Sequence, residues 1–484
     1  MEYRTIIGLE IHAELSTRSK MFCGCSTAFG GPPNTRTCPV CLGLPGSLPV
    51  ANRQAVGFAI MLGLATNCTI APRSVFHRKN YFYPDMPKNY QISQYDVPLS
   101  YGGYLEVDMG KYVRRVGITR VHLEEDTGKS IHVGISGRIH GADFSLEDFN
   151  RAGIPLAEIV TEPDLRSPEE ARAFMQSLKA TLEYLGISDC KMEEGSLRCD
   201  ANISVTAEDR PGTKVEIKNL NSFRSLQRAL AYEEQRQKSV LEGGGVLFQE
   251  TRHWDDAAGN TTLLRSKEEA FDYRYFPEPD LVPMEPDSEW VEELRRRLPE
   301  LPPARKARFV EELGLSPEIA ATLTGEKAMA DYFEEAVREG GEPVVLSKWI
   351  AGELSALLRE SDTFIGTCPL RPSSLVELLT IVEEGGISGK MAKEVIREAF
   401  QTGRRPREIV KSRGLEQITD EAELEEVVDE VIADNQEAAR DYRSGKDQAL
   451  KFLMGQVMKK TGGKANPALA TKLIRRKLNE TDRP

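Results

Sequence analysis

An α+β fold is predicted for this chain of 484 residues, and three features of the sequence predict it. Strand-like and helix-like runs alternate as far as Trp290 without the strict strand–helix–strand rhythm of a doubly wound parallel sheet. Prolines then crowd the stretch from Pro277 to Pro303. Beyond them the pattern is almost entirely helical, in short segments parted by Gly and Pro.

The elements follow in order. Thr5-Ile6-Ile7-Gly8-Leu9-Glu10-Ile11-His12 alternates in part, as a half-buried strand does, so Glu10 and His12 share one face. Val121-His122-Leu123 and Ile131-His132-Val133 flank Glu124-Glu125-Asp126-Thr127-Gly128-Lys129, the pattern of a hairpin with a charged tip. Ser167-Pro168-Glu169-Glu170 is a capping box with Pro at the first helical position. Phe174, Leu178, Leu182 and Leu185 then recur at helical spacing until Gly186 stops the run. Val215 and Ile217 mark a short strand ending near Asn221. Pro277, Pro279, Pro283, Pro286, Pro299, Pro302 and Pro303 bar any long helix and mark a boundary. A second shift follows Lys411. Glu416 to Asp434 is acidic, whereas the segment from Arg440 onward is rich in Lys and Arg. The expected domains are therefore 1–290, 291–410 and 411–484, the last a small, locally basic helical module.

Composition bounds the function. A chain of 53.9 kDa is too long for one hydrophobic core. With 63 Lys and Arg against 75 Asp and Glu, the net charge of −12 excludes a uniformly positive coat but leaves room for a local basic patch. No apolar run reaches the length of a membrane span. Glu2, Glu10 and Glu14 spoil a signal-peptide reading of the N-terminus, and eight cysteines are too few for a disulfide scaffold. A cytoplasmic location is the expectation.

Four cysteines, Cys23, Cys25, Cys38 and Cys41, follow the spacing C-x-C-x12-C-x2-C. Two thiol pairs on turns, joined by a loop, suit tetrahedral Zn²⁺, and four thiolates leave no open position, so the role is structural. Cys68, Cys190, Cys199 and Cys368 are scattered and read as small buried hydrophobes. A strand carrying Glu10 and His12 on one face is either solvent-exposed or lines a site. Glu124, Glu125 and Asp126 are either a solvated turn or a second group of hard oxygen ligands. Together the two groups suit Mg²⁺ held partly by water and substrate phosphate; the sequence leaves open whether they meet. Cations and aromatics from Arg78 to Tyr90 suit stacking and phosphate contact, or else form a buried amphipathic loop. Arg198, Asp200 and Asn202, then Glu216, Lys218 and Asn219, put polar groups on strand faces, as a polar site or a solvated sheet would. Thr461-Gly462-Gly463-Lys464-Ala465 is not a P-loop, and neither a dinucleotide glycine fingerprint nor a G-x-S-x-G elbow occurs.

Several strings together resemble the B-subunit family of aspartyl/glutamyl-tRNA amidotransferases. They are Gly8-Leu9-Glu10-Ile11-His12, Cys38-Pro39-Val40-Cys41-Leu42-Gly43-Leu44-Pro45-Gly46, Arg78-Lys79-Asn80-Tyr81-Phe82-Tyr83-Pro84-Asp85, His122-Leu123-Glu124-Glu125-Asp126, Glu216-Ile217-Lys218-Asn219-Leu220-Asn221-Ser222 and Tyr273-Arg274-Tyr275-Phe276-Pro277-Glu278-Pro279-Asp280. The resemblance spans essentially the whole chain in one order. It leaves no room for the inserted domain of the archaeal relatives, so it is to the bacterial type.

The resemblance implies a cradle-like N-terminal domain, a helical domain and a tail that contacts tRNA. It implies a heterotrimer in which an amidase-type A subunit frees ammonia from glutamine, beside a small C subunit. The B subunit activates the side-chain carboxylate of Glu-tRNA(Gln) or Asp-tRNA(Asn) with ATP as an acyl phosphate, which ammonia displaces. Glu10, His12, Glu124 and Glu125 would hold Mg²⁺. Lys79 and Tyr81 would face phosphate or the aminoacyl end, and Arg198, Asp200, Asn202, Lys218 and Asn219 would line the same cavity. One acid or His12 would deprotonate ammonium. The four thiols resemble a structural zinc knob, and Lys446, Lys451, Lys459, Lys460 and Lys464 would attract tRNA phosphates. The other reading is a tRNA-binding scaffold of the same complex. A scaffold for anionic RNA has no reason to concentrate acids near its substrate, which favours catalysis.

Overall fold

The computed structural model describes residues 3–134, 142–207, 212–266, 273–415, 418, 420–462 and 464–480. Its strands in chain order are β1 Arg4–Glu14, β2 Thr69–Ile70, β3 His77–Asn80, β4 Tyr90–Ser93, β5 Ser100–Asp108, β6 Val113–Glu125 and β7 Lys129–Gly134. They continue with β8 Ala142–Asp148, β9 Pro155–Thr161, β10 Leu197–Thr206, β11 Val215–Lys218, β12 Glu250–Asp255, β13 Asn260–Ser266 and β14 Phe276–Pro277. The first unit, Met1–Pro302, is built on a nine-stranded sheet of order β13-β12-β11-β10-β1-β9-β6-β5-β2. Among the described residues of this sheet, only β11 and β12 run parallel. Three helices, α1 Arg53–Ala65, α2 Pro168–Leu185 and α3 Phe223–Glu242, bury their apolar sides against it. The architecture is α+β.

Local chemistry accounts for these elements. On β1 the odd residues Ile7, Leu9, Ile11 and Ala13 are buried, while Glu10, His12 and Glu14 alternate to the other face. Helix α2 begins where expected: the Ser167 hydroxyl accepts from the Glu170 amide. The reciprocal half of the box is shifted by one residue, because the Glu170 carboxylate accepts from the Arg166 amide at 2.7 Å. Gly186 ends the helix at φ +67°, a left-handed conformation that glycine adopts without penalty.

Two expectations are corrected. Residues 121–133 do not form a hairpin with a charged tip. Strand β6 runs through Glu125 and pairs with β5 and β9, while β7 pairs with β8. Glu124, Glu125 and Asp126 are all buried. The acids misled because each has a specific counter-group, which composition does not display. The first domain also does not end at residue 290. Helix α4, Ser288–Arg296, buries Leu294 in the first core and packs Trp290 and Val291 beside it, so the unit runs to Pro302.

The second unit, Pro303–Pro484, is helical and holds two separate apolar clusters, one from Phe309 to Val410 and one from Leu424 to Leu478. Among the described residues no helix is long and apolar enough to cross a membrane.

Candidate functional site

The polar face of the large sheet is set by strand register. His12 on β1 stands opposite Glu158 on β9, and Glu158 stands opposite His122 on β6. On the other side of β1, Glu10 faces Asp200 and His12 faces Arg198 on β10; Asn202 then faces Glu216 on β11. Period-two alternation keeps these polar side chains on the face away from the helices.

Three of them converge. His12 Nε2 lies 3.2 Å from Glu124 Oε1 and 3.5 Å from Glu158 Oε2. One ligand atom from each of His12, Glu124 and Glu158 lies within 4.8 Å of the others. Burial opposes a charge on His12, but Glu124 and Glu158 outweigh it and push its pKa up to about 10. Burial likewise works against the Glu158 carboxylate, yet His122 and His12 hold it well below the ordinary range. Two carboxylates and an imidazole around one point fit a divalent cation, which would take the place of the His12 proton. Hard carboxylate oxygens suit Mg²⁺, and the imidazole makes Mn²⁺ equally acceptable.

The other expected ligands lie elsewhere. Glu10 accepts a 3.0 Å hydrogen bond from Asn202 Nδ2. Glu125 pairs with the buried Lys88 ammonium and accepts from the Ile92 amide at 2.9 Å. Glu158 was missed by sequence reasoning. Its signal was present: a lone acid in the otherwise apolar run Pro155-Leu156-Ala157-Glu158-Ile159-Val160 has to face something polar.

Around this group stand the remaining residues. Lys79 on β3 lies 4.9 Å over the Tyr273 ring, and although burial opposes its charge, Glu124 and Glu158 raise its pKa. Burial, then Asp85 and Glu124, raise the Tyr81 phenol, so it stays protonated. The Tyr81 ring meets Tyr273 edge-on, and Tyr275 stacks on Tyr95 at 4.3 Å. Arg198 reaches Asp126 Oδ2 at 2.9 Å. Lys218 pairs with Asp200 and lies 3.3 Å from Glu216. Asn219, at φ +69°, turns towards β12 and donates to the Trp254 carbonyl at 3.0 Å. Burial and the neighbouring Asp126 push Glu14 up to about 8.

The four thiols of Cys23, Cys25, Cys38 and Cys41 also converge, with ligand atoms within 4.8 Å of one another. Hydrogen bonding from Cys23 lowers the Cys41 pKa to about 5 against the effect of burial, with help from the Cys38 amide and Lys20. Lys20 Nζ lies 3.7 Å from Cys41 Sγ and 3.2 Å from the Phe149 carbonyl. An all-thiol set with one ammonium beside it fits Zn²⁺, whose four-thiolate centre carries net negative charge. The loop between the thiol pairs is latched to the end of β8. The Asn34 amide donates to Asp148 Oδ1 at 3.0 Å and the Arg36 amide to Asn150 Oδ1 at 2.8 Å. A cavity of about 160 Å³ lies between the thiols and Glu125, lined also by Lys20, Phe22, Lys88 and Tyr90.

In the second unit, the tail lysines fall into two classes. Lys446 pairs with Asp441 at 2.9 Å, and Lys460 with Glu430 at 2.8 Å and Asp434 at 3.4 Å. Lys451, Lys459 and Lys464 are exposed, with no acid paired to them among the described residues.

Comparison with known proteins adds two family matches. Residues 5–292 match a family described as the GatB/GatE catalytic domain, and residues 331–478 match one described as a GatB domain. The chain is 56% identical over 480 residues to the B subunit of the aspartyl/glutamyl-tRNA(Asn/Gln) amidotransferase of Moorella thermoacetica, covering 99% of this chain and 100% of that one. It is 54% identical over 479 residues to the protein of the same name from Carboxydothermus hydrogenoformans, covering 99% of each. The corresponding protein of Brevibacillus brevis is 51% identical over 480 residues, again covering 99% of each.

Proposed function

The chain belongs to the family of aspartyl/glutamyl-tRNA(Asn/Gln) amidotransferase B subunits, and from that premise we propose that its sheet face performs the ATP-dependent activation and amidation steps. The substrate is a misacylated tRNA, Glu-tRNA(Gln) or Asp-tRNA(Asn). Its side-chain carboxylate is a poor electrophile. Transfer of the ATP γ-phosphoryl group to one carboxylate oxygen makes an acyl phosphate and releases ADP. Ammonia then attacks the carbonyl carbon, the C–O bond to phosphate breaks, and phosphate leaves with that electron pair, giving the amide.

Phosphoryl transfer demands positioning and charge neutralisation more than covalent help. His12, Glu124 and Glu158 would hold a divalent cation, Mg²⁺ in the cell. Bound there, the ion supplies positive charge against the phosphate oxygens. Lys79 places a second positive charge beside the same group. Arg198, fixed by Asp126, and Lys218, fixed by Asp200 and Glu216, hold anionic substrate groups at the neighbouring strands. Tyr81 donates as a neutral phenol. Glu14, whose pKa burial and the neighbouring Asp126 push up to about 8, is suited to take the proton that ammonia loses.

The observation that supports this reading best is the His12–Glu124–Glu158 group with Lys79 beside it. A pure tRNA scaffold gains nothing from acids on the face that meets RNA. The reading also includes an amidase-type A subunit that delivers ammonia, a small C subunit, structural Zn²⁺ on the four thiols, attraction of tRNA by the exposed tail lysines, and work in the cytoplasm.

The test is ADP release by this chain assembled with its A and C partners, with and without misacylated Glu-tRNA(Gln). ADP release that requires the misacylated tRNA, and falls at least about 100-fold in Glu124→Gln with tRNA still bound, is expected. Bound tRNA without tRNA-dependent ADP release would move the chemistry to another subunit.

A further inference from the structure

Glu158 has a second partner that the proposed chemistry does not use. His122, directly across the β6–β9 ladder, places Nε2 at 3.1 Å from Glu158 Oε2. Its ring is only 2% exposed, so water does not compete for that contact. The opposite ring nitrogen, Nδ1, lies 3.4 Å from Arg120 Nε. A guanidinium can only donate, so Nδ1 is the acceptor and the ring proton sits on Nε2, aimed at the carboxylate.

We propose that Arg120 and His122 are positioning residues for the cation site: Arg120 fixes the imidazole tautomer, and His122 fixes the Glu158 carboxylate. This rests on the reading of His12, Glu124 and Glu158 as the ion's ligands. The need arises from the geometry. The same oxygen, Glu158 Oε2, also lies 3.5 Å from His12 Nε2. When a cation binds, His12 turns its lone pair to the ion and no longer donates to Glu158. His122 is then the group that keeps the carboxylate from rotating away. Metal-ligating side chains are commonly oriented by such outer partners, whose loss weakens metal affinity by about 10–100-fold.

Mn²⁺ titrated into the full-length chain, followed by electron paramagnetic resonance of the free ion, tests this without turnover. His122→Leu should weaken Mn²⁺ binding by about 10–100-fold with the thermal melt kept cooperative. His122→Gln, whose amide N–H reaches towards the same oxygen, should recover most of that loss. Arg120→Met should fall between wild type and His122→Leu, because it leaves the donor in place but frees the tautomer. Wild-type affinity in His122→Leu, with Glu158→Gln clearly weakened, would overturn the proposal. Should His122→Leu fail to fold, Arg120→Met decides: unchanged affinity there overturns it equally. If Glu124→Gln and Glu158→Gln also bind as wild type does, the ion sits elsewhere, and the underlying ligand assignment fails first.

Discussion

Glu124 and Glu125 are adjacent on β6 and serve different partners. Glu124 Oε1 meets His12 Nε2 at 3.2 Å, whereas Glu125 is paired with Lys88. Strand alternation makes the division, since successive side chains leave on opposite sides. Glutamine at the two positions should therefore fail differently. Glu124→Gln removes an ion ligand and should weaken Mn²⁺ binding with a smaller loss of stability, because Glu158 still faces His12. Glu125→Gln leaves the Lys88 ammonium, 7% exposed, without its counter-charge, which should lower stability by about 3–5 kcal/mol while Mn²⁺ binding survives. Urea denaturation and Mn²⁺ titration of both variants separate the two effects. Equal loss of Mn²⁺ in both would return Glu125 to the ligand set.

Glu170 supports the start of α2 and gives the fold an acid-sensitive contact. Its carboxylate accepts from Tyr112 at 2.8 Å, from Arg114 Nε at 3.0 Å and from the Arg166 amide. Burial would raise its pKa, but Arg114, the Arg166 amide and Tyr112 more than offset that and lower it. A carboxyl group depressed by folding contributes stability above its unfolded pKa of about 4.3, and that contribution is lost as pH falls through the lower folded value. Glu170→Gln should thus be about 1–3 kcal/mol less stable than wild type at pH 7, with the gap closing towards pH 3. A gap that stays constant from pH 7 to pH 3 would show that the carboxylate's charge is irrelevant.

The sequence disclosed those parts of the site whose signal is local. The even residues of β1, the four thiols and the Ser167 cap are visible because alternation, spacing and capping chemistry each act within a few residues. Glu158 was hidden because its partners, His12 and His122, come from strands distant in sequence, and only register brings them together. The same register hid the burial of Glu124, Glu125 and Asp126, which look like a solvated turn until His12, Lys88 and Arg198 stand opposite. Lys460 looked like a free cation for a like reason, since Glu430 and Asp434 meet it only after the helices pack, whereas Asp441 stands just five residues before Lys446 and pairs with it locally at a helix end.

The thiol cluster should hold about one zinc per chain and brace more than itself. Its loop is tied to residues 147–150 through Asn34 and Arg36, and Lys20 spans from Cys41 to the Phe149 carbonyl. Removing the ion, by chelation or by Cys41→Ser, should therefore raise amide hydrogen exchange both in the loop and around residues 147–150. Exchange confined to the loop would mean that the latch does not depend on the metal. Lys20→Met should lower zinc affinity by about 10–100-fold, because its ammonium no longer balances the thiolate charge. Chelator competition measures that directly, and unchanged affinity would make Lys20 a packing residue only.

The tail lysines should divide by what they already touch. Lys460 would have to surrender Glu430 and Asp434, and Lys446 would have to surrender Asp441, before either could neutralise a phosphate. Lys451 and Lys459 are exposed two turns apart on the helix Gln448–Lys460, with Gly455 between them adding no side chain in the way. An RNA backbone can follow that stripe, and each phosphate neutralised there adds to the salt dependence of binding. The double variant Lys451→Gln, Lys459→Gln should accordingly reduce the slope of log affinity against log salt by about 2, roughly one unit per lost contact. Lys446→Gln with Lys460→Gln should change that slope little. Binding of tRNA to the assembled complex across a salt series reads both. A larger change from the second pair than from the first would place the RNA on the ion-paired face, where acidic side chains would have to move aside.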